Sequence, residues 1–240
     1  MAGALRGATI VCLHGLGRSA SDWDGVRPAL ERYGSVHVTD LPRAGLDTLM
    51  AATAELPAPA VLIGHSMGGI VAMRRAAMQP TAVAGLILAD SFFPPALNGR
   101  SRAAALTDYA VHRAAIAREL AARGTRPRPR RGTVQGLRSL ARLGLRPSAF
   151  HATARAVQAP VLVLHARNDH HVPVDFAIAA AGRHPSWTTE ILEEGGHNVH
   201  AERPAEWLAA ACRWIEDDLA GGDALGGPLR RPAHRGACGG

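Results

Sequence analysis

The chain is 240 residues long, the size of one domain near its upper limit or of two small ones. Its 47% hydrophobic and 20% charged residues exclude wholesale disorder, and no apolar run approaches the ~20 residues that cross a membrane. The net charge of +7 reflects 27 basic residues, all arginine, against 20 acidic ones, and its uneven spread matters more than its size.

Short apolar runs alternate with helical patterns, which predicts an α/β fold with a mostly parallel sheet. The first strand is predicted over residues 9–13 and runs straight into His14-Gly15-Leu16-Gly17. Cleavage of an export signal would destroy that loop, so residues 1–13 do not read as one and a cytoplasmic location is expected. Cys12, Cys212 and Cys238 show no paired spacing and read as reduced thiols, in keeping with that compartment. A helix capped by Ser19 or Ser21 then carries Trp23, Val26 and Leu30 at helical spacing and stops at Gly34. Strands are predicted over 35–40 and 60–63, with room for only a stunted helix between them. A helix over 67–78 and a strand over 83–89 follow.

Residues 92–158 interrupt the alternation. They hold 13 arginines against Asp108 and Glu119, a local charge of +11, while the remainder of the chain nets −4. Leu106, Tyr109, Ile116 and Leu120 make a helical stripe, the run 124–132 breaks it with charge and two prolines, and two further short helices follow. An all-helical, basic insert between two strands is most simply a lid. The alternation resumes with strands over 161–165 and 188–192, a helix over 174–181, and a last helix opened by Pro204 with Trp207, Ala211 and Trp214 on its apolar face. The expected organisation is a core of residues 1–91 and 159–219, a helical lid at 92–158 and a disordered Gly/Pro/Arg tail at 220–240.

The strongest chemical signal is Gly64-His65-Ser66-Met67-Gly68, a G-x-S-x-G motif set directly between a strand and a helix. A serine on such a turn projects its hydroxyl above the sheet, and the helix N-terminus behind it favours developing negative charge. A lone serine is a poor nucleophile and needs a base oriented by a carboxylate. Asp169 lies just past the strand over 161–165, and His197 follows the strand over 188–192 after Gly195-Gly196. Ser66, Asp169 and His197 therefore all fall beyond C-terminal strand ends, where open α/β sheets build their sites. Asp90 also ends a strand and is the rival acid; His200 is the rival base, expected to be an ordinary polar loop residue. The N–H groups of Leu16 and Met67 are the candidate oxyanion hole. His14, Phe92 and Phe93 are the candidate substrate contacts.

These four elements, in this order, resemble the α/β-hydrolase superfamily, in its small, lid-bearing serine esterase and lipase-like form. The resemblance runs over about residues 8–219. It implies that His14-Gly15-Leu16-Gly17 is the oxyanion loop, Ser66 the nucleophile, Asp169 the acid and His197 the base. The usual leading pair of strands is missing, so the expected sheet has about six strands with helices on both faces. Serine at the elbow argues against dehalogenase and epoxide-hydrolase chemistry, which in this fold resembles enzymes with an Asp nucleophile.

The expected activity is hydrolysis of an ester or thioester of a small hydrophobic acid, with no cofactor. Acyl transfer or C–C bond cleavage by the same triad is the first alternative, and a non-enzymatic ligand receptor on this fold is the second. His165, His170 and His171 cluster near Asp169, but no second ligand group accompanies them and no metal is expected. The basic insert, with only Phe92, Phe93, Tyr109 and Phe150 as aromatics, has no stacking pattern for nucleic acid. Arg126, Arg128, Arg130 and Arg131 read as a solvated arginine surface or, alternatively, as a patch that attracts an anionic substrate, such as a CoA thioester, or an acidic acyl carrier.

Overall fold

The computed structural model describes residues 8–94, Thr107 and 131–219. Six strands, β1 (Ala8–Leu13), β2 (Gly34–Thr39), β3 (Ala60–His65), β4 (Val83–Ala89), β5 (Val161–Ala166) and β6 (Trp187–Leu192), form one sheet. All pairings are parallel and the order is β2-β1-β3-β4-β5-β6. Leu13 lies beside Gly64, His65 beside Ala89 and Ala89 beside Leu164. The loops that leave the central strands therefore emerge together along one edge.

Successive strand residues face opposite sides of a sheet, and here each side has its own apolar cluster. Ala60 and Leu62 of β3, with Val161 and Val163 of β5, join one; Val61, Ile63, Leu162 and Leu164 join the other. The unbroken apolar runs of β3 and β5 follow from burial on both faces. Fully burying each such Val, Leu or Ile contributes roughly 1.5–3 kcal/mol.

The helices are α1 (Arg27–Leu30), α2 (Leu46–Ala52), α3 (Met67–Met78), α4 (Arg131–Leu145), α5 (Pro147–Ala156), α6 (Val174–Ala181), α7 (Val199–Glu202) and α8 (Pro204–Trp214). The α3, α5 and α6 side chains pack on one face of the sheet; those of α1, α7 and α8 pack on the other. Among the described residues, no helix is long and apolar enough to cross a membrane.

Two helical expectations are corrected. Trp23, Val26 and Leu30 are all fully buried, but they do not share one helix. A 3-10 turn at Ala20–Trp23 ends before Gly25, and α1 starts only at Arg27 with Pro28 in its first turn, where proline is tolerated. Secondly, α4 begins at Arg131, inside the stretch read as a break, and runs for 15 residues rather than being short. Arg138 and Arg142 lie on its exposed side while Leu143 is buried, so charge on one face masked an amphipathic helix. The predicted stripe from Leu106 to Leu120, most of the 124–132 run and the 220–240 tail lie outside the described residues.

Candidate active site

The turn from β3 into α3 requires small residues for steric reasons. Ser66 sits at φ 52°, in the left-handed region that a serine enters only when its surroundings dictate it. A Cβ on Gly64 would fall 2.5 Å from Gly69 Cα, and one on Gly68 would fall 2.3 Å from the Leu13 carbonyl oxygen. Both glycines of the motif are therefore set by backbone crossing backbone. Ser66 N–H donates to Ala89 O at 3.0 Å, and Ser91 Oγ–H donates to Gly64 O at 3.1 Å, which ties the turn to the end of β4.

His197 reaches the serine from the loop after β6. Gly195, at φ 92°, makes the sharp bend, and Gly196 N–H donates to Glu202 Oε2 at 2.6 Å. The ring's Nδ1–H donates to Asp169 Oδ2 at 2.8 Å, which leaves Nε2 to accept from Ser66 Oγ–H at 3.1 Å. Asp169 Oδ1 accepts the N–H groups of His171 (2.7 Å) and Val172 (2.9 Å). Burial disfavours charge on Asp169, but the hydrogen bond and charge of His197, then His165 and Val172 N–H, outweigh it and hold the carboxyl below its ordinary pKa. Asp169 is thus held ionised beside the imidazole.

The rivals occupy other places. Asp90 is fully buried at φ 41°, and its two oxygens accept Ala166 N–H at 2.9 Å and Val199 N–H at 3.1 Å. Burial, followed by the neighbouring Asp169 charge, raises its pKa well above the usual carboxylate range. His200 is not a polar loop residue. It lies in α7, fully buried, with its ring stacked 4.5 Å from that of Trp23.

Ser66, His197, Leu16 and Phe92 line a cavity of about 580 Å³ whose far wall includes Leu137 and Leu140 of α4. Met67 is the first residue of α3, so its N–H has no acceptor within the helix. His14 and Phe93 do not border the cavity. His14 is spent on the loop itself: Nε2 accepts Leu41 N–H at 2.9 Å and Nδ1–H donates to Gly15 O at 2.8 Å. Phe93 packs edge-on to Phe150, 5.9 Å between centroids, and so anchors α5 rather than a substrate.

Four cavity-lining polar residues were not assigned to the site by the sequence reading: Arg18, His65, His171 and Asn198. Arg18 Nε–H donates to Asp22 Oδ2 at 2.5 Å. His65 Nε2–H donates to the His197 carbonyl at 2.7 Å, and the His171 ring lies 4.6 Å from that of His197. The residue types were visible in the sequence, but His65 and His171 meet His197 across loops that only the sheet brings together, whereas Arg18 pairs locally with Asp22. Two groups of potential metal ligands exist among the described residues, Asp22–His65–His200 and Asp90–His165–Asp169. In the second, Asp169 already bonds His197 and two main-chain N–H groups, and Asp90 bonds two more.

A six-stranded parallel sheet with helices on both faces and a serine on the central strand-to-helix turn defines an α/β hydrolase. The chain belongs to the alpha/beta hydrolase family, whose pattern matches residues 10–211. The pimeloyl-acyl-carrier-protein methyl ester esterase of Methylococcus capsulatus is 28% identical over 85% of this chain and 94% of that protein. The enzyme of the same name from Klebsiella pneumoniae is 36% identical, but over only 34% of this chain and 36% of its own length. Among solved structures, a thermophilic esterase from Thermogutta terrifontis superposes with a TM-score of 0.67 at 23% identity, covering 88% of this chain and 90% of that one. The thioesterase domain from the curacin biosynthetic pathway gives 0.61 at 19% identity, over 86% and 91%. These two likenesses are of fold.

Proposed function

We propose that the protein is a serine hydrolase that cleaves a carboxylic ester or thioester of a small hydrophobic acid through an acyl-serine intermediate. The observation that carries this reading is the hydrogen-bonded chain Ser66–His197–Asp169, which opens onto a largely apolar cavity. His197 Nε2 takes the Ser66 proton as Oγ attacks the substrate carbonyl carbon. The N–H groups of Leu16 and Met67 hold the resulting oxyanion, and His197 returns the proton to the departing alkoxide or thiolate. A water that His197 then deprotonates attacks the acyl-serine, and collapse of the second tetrahedral intermediate releases the acid and restores Ser66. Asp169 stays ionised throughout, fixes the ring tautomer and offsets the imidazolium charge. The apolar wall of Leu16, Phe92, Leu137 and Leu140 suits an aliphatic acyl chain. The α4 helix acts as the inner part of a lid.

A second, narrower reading is that the acyl group arrives on an acidic carrier. Arg138, Arg142 and Arg146 are exposed on and directly after the helix that walls the cavity, and none has an ion-pair partner among the described residues. The relatives named above act, by name, on a methyl ester of a carrier-bound acyl group. A basic face on the helix whose Leu137 and Leu140 wall the cavity fits such a partner.

The direct test is labelling with a fluorophosphonate probe, followed by a panel of p-nitrophenyl esters and acyl thioesters. Labelling confined to Ser66, and turnover lost in Ser66→Ala, support the reading. A protein that neither labels nor turns over any ester or thioester would instead favour a ligand receptor.

A further inference from the structure

Resting on that reading of Ser66 and His197, we infer that His65 is a positioning residue: its imidazole holds the backbone of the base against the nucleophile turn and the oxyanion loop. His65 is the last residue of β3 and is 1% exposed, directly before Ser66. Its Nε2–H donates to the carbonyl oxygen of His197 at 2.7 Å, across 132 residues of sequence. Because the partner is a carbonyl, Nε2 must carry the proton and Nδ1 is bare. The bare edge faces the oxyanion loop: a Cβ on Gly15 would lie 2.8 Å from Nδ1 and 3.1 Å from Cε1. One imidazole thus touches the loop that stabilises the oxyanion and the main chain of the base, while its own backbone continues into the nucleophile.

The base loop needs such a tie. Gly195, at positive φ, gives it freedom, and its other anchors lie on either side of His197, at Gly196 N–H to Glu202 and Val199 N–H to Asp90. The bond from His65 is made to the main chain of His197 itself. It limits how far the ring can withdraw from Ser66 Oγ, and an error of about 1 Å in such geometry costs on the order of 10²-fold in rate. Burial, then the charges of His197 and His200, push the His65 pKa well down, so the ring keeps its single donor and stays uncharged. That matters because the two rings lie 4.9 Å apart, and a second cation there would oppose the imidazolium that His197 becomes.

The experiment compares His65→Phe, which keeps the aromatic volume without the donor, with His65→Gln, whose side-chain amide restores an N–H at similar reach. In steady-state hydrolysis of one p-nitrophenyl ester, Phe should lower kcat by about 10²-fold with KM held within about twofold, and Gln should recover most of the loss. Where Phe gives no folded protein, His65→Met, with the length of Gln and no N–H, takes its place. A second readout needs no turnover: the 15N ring signals of His197 should broaden or shift in Phe and return toward the parent in Gln. Unchanged kcat and ring signals in Phe, or equal impairment in Gln and Phe, would overturn the inference. A parent protein without labelling or turnover, whose His197 signals still respond to His65, would overturn the reading of Ser66 and leave the tie standing.

Discussion

Asp90 and Asp169 are both buried carboxylates past the ends of neighbouring strands, and only Asp169 bonds the ring of His197. The division follows from what each oxygen accepts. Asp169 spends one oxygen on the N–H groups of its own loop and offers the other to the imidazole. Asp90 spends both on main-chain N–H groups, Ala166 at the end of β5 and Val199 beyond His197, and so pins two loops together without bonding the His197 ring.

Asp169→Asn should therefore lower kcat by roughly 10³–10⁴-fold through the wrong imidazole tautomer. Asp90→Asn should act mainly on stability, because one amide carbonyl cannot serve both N–H groups as two oxygens do; a loss of about 1–3 kcal/mol in urea unfolding is expected. Steady-state kinetics on both variants decides the matter, and the reverse ranking in kcat would move the acid to Asp90. The depressed pKa of Asp169 carries its own sign: its stabilising charge is fully present above the ordinary carboxylate value of 3.8 and is lost only as pH falls through the lower folded value.

Ser66→Ala should abolish fluorophosphonate labelling and cut turnover on the order of 10⁶-fold without altering the thermal midpoint by more than a few degrees. His197→Ala should cost about as much, since nucleophile and base act as a unit. Activity above a few per cent in Ser66→Ala would place the chemistry on another group.

Much of this site is legible in the sequence because its parts are local. The G-x-S-x-G turn is specified by Gly64 and Gly68, whose missing Cβ atoms make room for backbone within five residues of Ser66 or on the adjacent strand. Asp169 and His197 can be placed because each follows a strand end, and parallel strands deliver their ends to one edge. What escapes is long-range. Nothing local says that His65 meets the carbonyl of His197, or that His200 slots against Trp23 rather than facing water. The periodicity of Trp23, Val26 and Leu30 correctly marked burial, yet the Gly25–Pro28 segment broke the helix that would have carried it. His14 looked like a substrate contact because it is polar and lies in the right loop; its two nitrogens are consumed by Gly15 and Leu41.

His200 offers a stability test. Neither ring nitrogen has a hydrogen-bond partner among the described residues, and the ring packs against Trp23 and Trp207. Burial lowers its pKa from 6.5 to about 4, against the attraction of Asp22. A base with a depressed folded pKa is protonated first in the unfolded chain, so stability falls as pH drops between those two values and no further below them. His200→Phe should raise stability at neutral pH by about 1–3 kcal/mol, since two unpartnered buried nitrogens go. It should also reduce the acid loss, leaving the part due to the other histidines whose pKa burial lowers, His65, His151, His165 and His184. Urea unfolding across that pH range is the measurement, and parallel curves for parent and variant would show that His200 is not the titrating group.

The arginines on and after α4 separate a carrier-bound substrate from a free neutral ester. Arg138 and Arg142 stand one turn apart on α4 and Arg146 follows it, all three exposed. Charges so placed act on encounter rather than on chemistry, and they are screened beyond a Debye length of ~8 Å at physiological salt. With an acyl ester carried on an acidic protein, kcat/KM should fall steeply from low to physiological salt. Arg138→Gln, Arg142→Gln and Arg146→Gln together should remove most of that dependence while changing kcat little. A neutral p-nitrophenyl ester should respond to neither treatment, because it brings no charge to steer. If every carrier-bound and anionic ester gave a flat salt response in the parent protein, the carrier reading would fail and a small neutral ester would remain as the substrate.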